Sequence, residues 1–213
     1  MPYKIISAIG DSITQGAFDT LRGLGWFGRL TEKVAARSLS TGGNTFCSNN
    51  MSMSGDRVCD ASHRFAAEAM TRDIGVLIIA IGVNDLVRSP APDSPTDMSQ
   101  HLRIECWNNL LDLAQANIPQ IVVLDILPVR EELMGFKDWV GMPVYWFNKD
   151  IKEYNDLIAK ICADRGVPFI RRFDKWEKRN PAELYADYAH PNGAGHQLIA
   201  DEVYAELEKL GIL

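Results

Sequence analysis

Short, continuous apolar runs recur along this 213-residue chain, and segments with helical periodicity separate them. The clearest run, 75–81 (GVLIIAI), has no polar side chain, as expected for a strand that is covered on both faces. Further runs lie at 4–9, 120–126 and 167–170, and a weaker one at 45–48 is second in chain order. Such runs predict a parallel sheet, because a strand with one face in water alternates apolar and polar residues.

Four of the intervening segments place apolar residues three and four positions apart, which puts them on one face of a helix. These segments are 26–37, 101–116, 148–165 and 193–210. Strand and helix alternate without a linker rich in Gly or Ser, so residues 1–213 are predicted to form one domain. The predicted fold class is α/β, with three layers in which helices cover both faces of the sheet.

Two segments depart from this alternation. Residues 89–99 contain three prolines, and residues 129–147 are rich in aromatic and Met side chains. Both segments follow the carboxyl ends of predicted strands, where open α/β sheets form their ligand sites. The aromatic residues of the second segment either line a pocket or form a lid, or they pack the segment against the core, and the sequence leaves these alternatives open. They are Trp139, Tyr145, Trp146 and Phe147.

A serine stands in the turn that ends the first predicted strand. Gly10 permits a tight turn there, and the backbone N–H groups beyond Ser12 can face an anion. Taken alone, Gly10-Asp11-Ser12 is more typical of a simple turn in which a side chain caps a helix. The tripeptide needs support from elsewhere in the chain before Ser12 can be read as a nucleophile.

A carboxylate and an imidazole lie three residues apart just before the last predicted helix, at Asp187 and His190. A serine nucleophile needs a base to take its proton, and an imidazole base needs a carboxylate to fix its tautomer. One local turn can bring Asp187 to the ring of His190. The same spacing also suits a helix-entry turn in which the aspartate is only a cap.

Two further polar turns follow predicted strands and contain hydrogen-bond donors. Asn84 comes directly after the strand at 75–81, where its amide can donate to a developing oxyanion. Gly55 follows the weak second strand and can supply a backbone N–H. Each turn is also adequately explained as an ordinary strand ending.

Together these turns resemble the SGNH hydrolases, also called the GDSL esterase and lipase family, over nearly the whole chain. The matching motifs are Gly10-Asp11-Ser12, Gly55, Gly82-x-Asn84-Asp85 and Asp187-x-x-His190. The resemblance implies that Ser12 is the nucleophile, His190 the general base and Asp187 the group that orients it. It also implies an oxyanion hole made by the backbone N–H groups of Ser12 and Gly55 and the side chain of Asn84. The fold implied is a five-stranded parallel sheet in a flavodoxin-like order.

The implied activity is hydrolysis of carboxylic esters through an acyl-enzyme on Ser12, with no metal and no organic cofactor required. The expected partner is a small-molecule ester. Members of this family act on lipids, thioesters, acetylated sugars and aryl esters, and the loops of this chain do not choose among them. The alternative is a flavodoxin-like domain that binds a small molecule or phosphate without hydrolysis, but it leaves Asp187 and His190 unexplained.

Charge and hydropathy exclude some other classes of function. Lys and Arg total 22 against 28 Asp and Glu, and this net charge of -6 argues against a nucleic-acid partner. No apolar run approaches the ~18 residues of a transmembrane helix, so stable membrane insertion is not expected. No secretory signal is visible, which makes the cytoplasm the default expectation.

The remaining titratable residues receive structural interpretations. Cysteines occur at Cys47, Cys59, Cys106 and Cys162 without a C-x-x-C motif, and they are predicted to be small, reduced apolar residues. His63, His101 and His196 are predicted not to be a second base, His63 and His196 as surface or half-buried residues. Asp11 and Asp85 are expected to hold the turns that flank Ser12 and Asn84.

Overall fold

A computed structural model of the chain describes residues 4–41, 46–138 and 141–213. Five strands form one parallel sheet in the order β2-β1-β3-β4-β5. The strands are β1 (Lys4–Gly10), β2 (Phe46–Asn50), β3 (Val76–Ala80), β4 (Gln120–Leu124) and β5 (Phe169–Ile170). The α/β class, the five parallel strands and the flavodoxin-like order are therefore confirmed.

Eight α-helices of very different length connect and follow these strands within the described residues. They are α1 (Ser12–Gln15), α2 (Gly25–Thr41), α3 (Val58–Ala69), α4 (Gln100–Asn117), α5 (Asn148–Asp164), α6 (Phe173–Trp176), α7 (Pro181–Leu184) and α8 (Gly193–Lys209). The four helices with a clear apolar face in the sequence lie within four residues of their predicted bounds. The predicted strand at 45–48 corresponds to β2, and its first residue, Thr45, lies outside the described residues.

The sheet separates two apolar cores because successive strand residues point to opposite faces. On β3, Leu77 and Ile79 contact the core formed with α3, α4 and α5. Val76 and Ile78 contact the other core, which contains residues of α2 and α8. Both faces of β3 are thus covered by helices, which explains why its sequence is apolar throughout.

The four cysteines do not all remain reduced as predicted. Cys59 in α3 and Cys106 in α4 form a disulfide across 47 residues of sequence. Two other cysteines are free, Cys47 exposed at the sheet edge and Cys162 buried in α5. The prediction was wrong for Cys59 and Cys106 because their pairing depends on how α3 packs against α4, which a spacing in the sequence does not reveal.

The segment 129–147 packs against the body of the protein in its described part. Tyr145 pairs with Arg88 in an antiparallel bridge through two backbone hydrogen bonds of 2.9 and 3.0 Å. The side chain of Trp146 is 7% exposed, and its indole N–H donates to the backbone oxygen of Val83 at 2.9 Å. Trp139 lies outside the described residues. In the described stretches, no helix is long and apolar enough to cross a bilayer.

Candidate active site

The sheet order brings the carboxyl ends of β2, β1 and β3 side by side, with the turn after β1 in the middle. Ser12 is the first residue of α1 in that central turn. The turn lies close to β3, since a Cβ atom added at Gly10 would be 2.2 Å from the carbonyl oxygen of Ala80. Only glycine fits there without a shift of the backbone, so Gly10 allows Ser12 to follow the strand so closely.

Ser12, His190 and Asp187 form a continuous chain of hydrogen bonds. Ser12 Oγ lies 2.8 Å from His190 Nε2, across 178 residues of sequence. His190 Nδ1 lies 2.8 Å from Asp187 Oδ2. The other carboxylate oxygen of Asp187 accepts the backbone N–H groups of Ala189 at 2.9 Å and His190 at 2.7 Å, which fixes the carboxylate beside the ring.

These partners determine which nitrogen of His190 carries the proton. An ionised carboxylate can only accept, so Nδ1 donates to Asp187 and Nε2 is left to accept the proton of Ser12 Oγ. Burial opposes the ionisation of Asp187, but the hydrogen bonds from the ring and backbone of His190 outweigh it and lower the pKa of this carboxyl. The arrangement can therefore take a proton from Ser12 and hold an imidazolium beside a carboxylate.

Gly55 and Asn84 border the same cavity, which has a volume of about 840 Å³. Gly55 is in an exposed turn after β2, with a φ of 84° that favours glycine. Asn84 is in the 3-10 helix that follows β3, and its Nδ2 donates to the backbone oxygen of Asp56 at 2.9 Å. An amide nitrogen has two hydrogens, so this bond orients Asn84 and leaves the second hydrogen for another acceptor.

Aromatic rings form one wall of that cavity. Tyr188 lies between the other two rings, 4.2 Å from Phe136 and 5.2 Å from Trp146 between ring centroids. All three rings line the cavity together with Gly55, Asn84 and Val87. Four charged residues line the cavity as well, namely Arg57, Asp97, Lys137 and Asp138. A cavity of this size with both aromatic and polar lining suits a small organic molecule.

The ring of His190 has aromatic neighbours on the protein surface and in the cavity wall. Phe18 lies 4.7 Å from it between ring centroids, and Tyr188 lies 5.8 Å away. Phe18 is 56% exposed and has a φ of 62°, which is uncommon for a residue other than glycine. The sequence interpretation missed Phe18, and the only signal for it was an aromatic residue shortly after Ser12 in a loop with several glycines.

Two buried carboxyls lie beside the proposed reacting groups, as expected for residues that hold the turns. Asp11 Oδ1 accepts the N–H of Ile13 at 3.0 Å and caps α1. Asp85 accepts from the backbone N–H of Val58 at 2.9 Å and from the hydroxyl of Tyr154 at 2.6 Å. Burial raises the pKa of Asp11 to about 7 and that of Asp85 to about 6.

We expect the raised pKa of Asp11 to make the protein less stable as the pH rises. Between about pH 4 and pH 7 the folded protein binds a proton at Asp11 that the unfolded chain has released, so the free energy of unfolding falls with increasing pH. The effect is on the order of 4 kcal/mol for this group. Urea unfolding at several pH values should show a flatter dependence in Asp11→Asn, whose amide oxygen still accepts from Ile13. An equal dependence in the variant and the wild type would contradict this expectation.

The other three histidines, His63, His101 and His196, form no hydrogen bond with Ser12, His190 or Asp187 among the contacts of the described residues. His63 is exposed, and His101 is exposed in the first turn of α4. His196 is fully buried, which corrects the prediction of a surface or half-buried residue. Its Nδ1 accepts the backbone N–H of Trp26 at 3.1 Å and its Nε2 lies 3.0 Å from the oxygen of Ala17, so both nitrogens have backbone partners. Burial lowers the pKa of His196, which keeps the ring neutral.

No cluster of three or more His, Cys, Asp and Glu side chains that could hold a metal ion occurs in the described ranges.

Comparison with known proteins places these features in a family. The sequence profile of the GDSL-like lipase/acylhydrolase family matches residues 8–198. A GDSL lipase of Mycobacterium tuberculosis (strain ATCC 25618 / H37Rv) is 24% identical over 215 residues, which cover 95% of this chain and 82% of that protein.

Two solved structures share the fold over 99% of this chain. An α/β hydrolase from the metagenome of Lake Arreo, Spain, has a TM-score of 0.74 at 20% identity, with 96% of its chain covered. A catalytic mutant of an acetylxylan esterase from Geobacillus stearothermophilus has a TM-score of 0.73 at 17% identity, with 95% covered.

Proposed function

Since this chain belongs to the GDSL-like lipase/acylhydrolase family, we propose that it hydrolyses small-molecule carboxylic esters through an acyl-enzyme on Ser12. The observation that carries the proposal is the unbroken line of hydrogen bonds from Ser12 Oγ through the ring of His190 to Asp187. A serine hydroxyl is a weak nucleophile until an adjacent base takes its proton. Here the base is in place, and its tautomer leaves Nε2 ready to accept.

The first half of the reaction forms the acyl-enzyme. His190 Nε2 accepts the proton of Ser12 as Oγ attacks the carbonyl carbon of the ester. The carbonyl oxygen becomes an oxyanion, which accepts from the backbone N–H groups of Ser12 and Gly55 and from the free amide hydrogen of Asn84. The imidazolium then donates its proton to the departing alkoxide oxygen, and the alcohol leaves.

The second half releases the acid. A water molecule gives its proton to His190 Nε2 and attacks the acyl carbon, and a second oxyanion forms at the same donors. Its collapse breaks the bond to Ser12 Oγ, which recovers a proton from the imidazolium. Throughout both halves, Asp187 keeps Nδ1 protonated and stabilises the positive charge on the ring.

The aromatic wall of Phe136, Trp146 and Tyr188 can contact part of the substrate. Gly55 and Asn84 line the same cavity as these rings, so a group attached to a carbonyl bound at these two donors would lie near the rings. The relatives include a lipase and an acetylxylan esterase, and the substrates of both contain an ester bond.

A binding domain without hydrolase activity would share the strand order, so the sheet alone does not separate the two functions. The chain of hydrogen bonds from Ser12 through His190 to Asp187 favours hydrolysis, because a loop that only binds a ligand does not need a base oriented to accept the proton of its serine.

A fluorophosphonate probe tests the proposal directly. Such a probe bonds covalently to a serine whose proton is taken by a neighbouring base. Mass spectrometry of the digested protein should find the label on the peptide that contains Ser12, and prior heat denaturation should prevent the reaction. A folded protein that stays unlabelled, or that is labelled on another serine, would contradict the assignment.

A further inference from the structure

Two separate links join the first turn of α3 to α4. The first is a buried series of hydrogen bonds, in which the backbone N–H of Val58 donates to Asp85 Oδ1 at 2.9 Å. Asp85 Oδ2 accepts from the hydroxyl of Tyr154 at 2.6 Å, and that hydroxyl oxygen accepts from Trp107 Nε1 at 2.8 Å. The second link is the disulfide between Cys59 and Cys106. Each of these cysteines is adjacent in sequence to an end of the hydrogen-bonded series.

Residues just after Gly55, at the start of α3, are bonded to Asn84 and Asp85, and both Gly55 and Asn84 border the cavity. Asn84 Nδ2 donates to the backbone oxygen of Asp56, the residue that follows Gly55. Asp85, the neighbour of Asn84, accepts from Val58 two residues farther along. The stretch from Gly55 to Val58 and the pair Asn84-Asp85 are therefore bonded to each other twice.

Gly55 itself is exposed in its turn, and open space surrounds the position of its missing Cβ atom. The turn is held on one side by the bonds of Ser54 to the side chain of Gln15, and on the other by the bonds of Asp56 and Val58 to Asn84 and Asp85. The bond at Val58 depends on Asp85, whose carboxylate is fully buried and is oriented by Tyr154.

We propose that Tyr154 and the Cys59–Cys106 disulfide are positioning elements that together hold Gly55 and Asn84 in the geometry that binds the oxyanion. The inference rests on the proposed function, because it assigns a purpose to donors of that reaction. Neither element touches the substrate. Both act through the first turn of α3, one by a buried hydrogen bond and one by a covalent bond.

The need to stabilise an oxyanion explains why two links hold the Gly55 turn. Stabilisation of an oxyanion depends on donors that are already oriented when the charge appears, and small displacements of a donor reduce the rate strongly. The direct bond from Asn84 to Asp56 restrains the Gly55 turn at one atom only. Two links of different kind at Val58 and Cys59 restrain both its translation and its rotation.

The test compares three variants of the protein. The first has Tyr154→Phe, the second has both Cys59→Ala and Cys106→Ala, and the third combines all three substitutions. Tyr154→Phe removes only the hydroxyl and retains the ring, over which the Arg103 guanidinium lies at 4.6 Å from the centroid. We expect Tyr154→Phe and the double cysteine variant each to lower kcat about fivefold with KM unchanged, because only the binding of the transition state is weakened. The triple variant should lose about a hundredfold, more than the product of the separate losses, because both links restrain one turn.

Tyr185→Phe is the matched control. The hydroxyl of Tyr185 is also buried and donates to the backbone oxygen of Pro128 at 2.5 Å, away from the first turn of α3. This variant should lose stability as Tyr154→Phe does, yet retain the kcat of the wild type. If the three test variants lowered only the melting temperature and kept kcat within twofold, the links would be ordinary supports of the fold and the proposal would be overturned.

Amide hydrogen exchange supplies a readout that does not require catalysis. Peptides covering residues 51–58 should exchange faster in each test variant than in the wild type or in Tyr185→Phe. Unchanged exchange there would overturn the proposal whatever the kinetics show. A wild-type protein without esterase activity would refute the proposed function instead, while the exchange result would still decide whether the two links hold the Gly55 turn.

Discussion

Replacing Ser12 by alanine should reduce kcat on any ester substrate by a factor on the order of 10⁵ or more. The reaction as proposed begins with attack by Ser12 Oγ, and no other hydroxyl hydrogen bonds to the ring of His190 among the contacts of the described residues. Without Oγ, the remaining catalysis comes from binding and oxyanion stabilisation alone. Initial rates with p-nitrophenyl acetate would measure the loss.

Ser7→Ala is the control for this variant. Ser7 lies in β1, five residues before Ser12, and is fully buried. The two substitutions remove the same atom from the same part of the fold, so their melting temperatures should be similar while only Ser12→Ala loses activity. Substantial turnover by a folded Ser12→Ala protein would show that another group carries the reaction.

Replacing Asp187 by asparagine should lower kcat by about 10⁴-fold with little change in the structure. An asparagine oxygen can still accept the backbone N–H groups of Ala189 and His190, so the turn is retained. Its amide nitrogen then faces His190 Nδ1 and donates to it, which moves the ring proton to Nε2. The ring would then present a hydrogen to Ser12 and could not accept one.

Asp174→Asn provides the comparison, because the Asp174 side chain is 72% exposed and forms a surface ion pair with Lys152. Loss of that carboxylate should leave kcat unchanged. A rate in Asp187→Asn within tenfold of the wild type would mean that the ring finds its orientation elsewhere, and the proposed role of Asp187 would be wrong. Nitrogen-15 NMR spectra of the variant would show which nitrogen of His190 carries the hydrogen.

The fold was predictable from the sequence wherever burial imposes a pattern. β3 is covered on both faces and is apolar at every position, so its run stands out. β2 lies at the edge of the sheet, where Ser48 and Asn50 are exposed, and its signal is correspondingly weak. The short helices α6 and α7 lacked a defined prediction, since a helix of one turn has too few residues to show periodicity.

The residues of the proposed site were predictable because each ends a strand or precedes a helix in its motif. The structure brings Ser12, His190 and Asp187 into hydrogen-bond contact, and Gly55 and Asn84 to the border of one cavity. Their roles in catalysis stay predictions. What the sequence did not reveal depends on distant packing: the disulfide between α3 and α4, the burial of His196 against the backbone of Trp26, and the position of Phe18 beside His190.

The distance in sequence between Ser12 and His190 also means that the two residues are synthesised at different times. They are 178 residues apart, and His190 is placed by the turn that leads into α8, the last helix described. At common synthesis rates Ser12, the proposed nucleophile, is therefore synthesised about 10 to 35 s before His190, its proposed base. During that interval the nascent chain contains an ordinary, unreactive serine. In the proposed mechanism Ser12 becomes reactive only when the turn before α8 holds His190 beside it, so chemical competence is acquired late in folding.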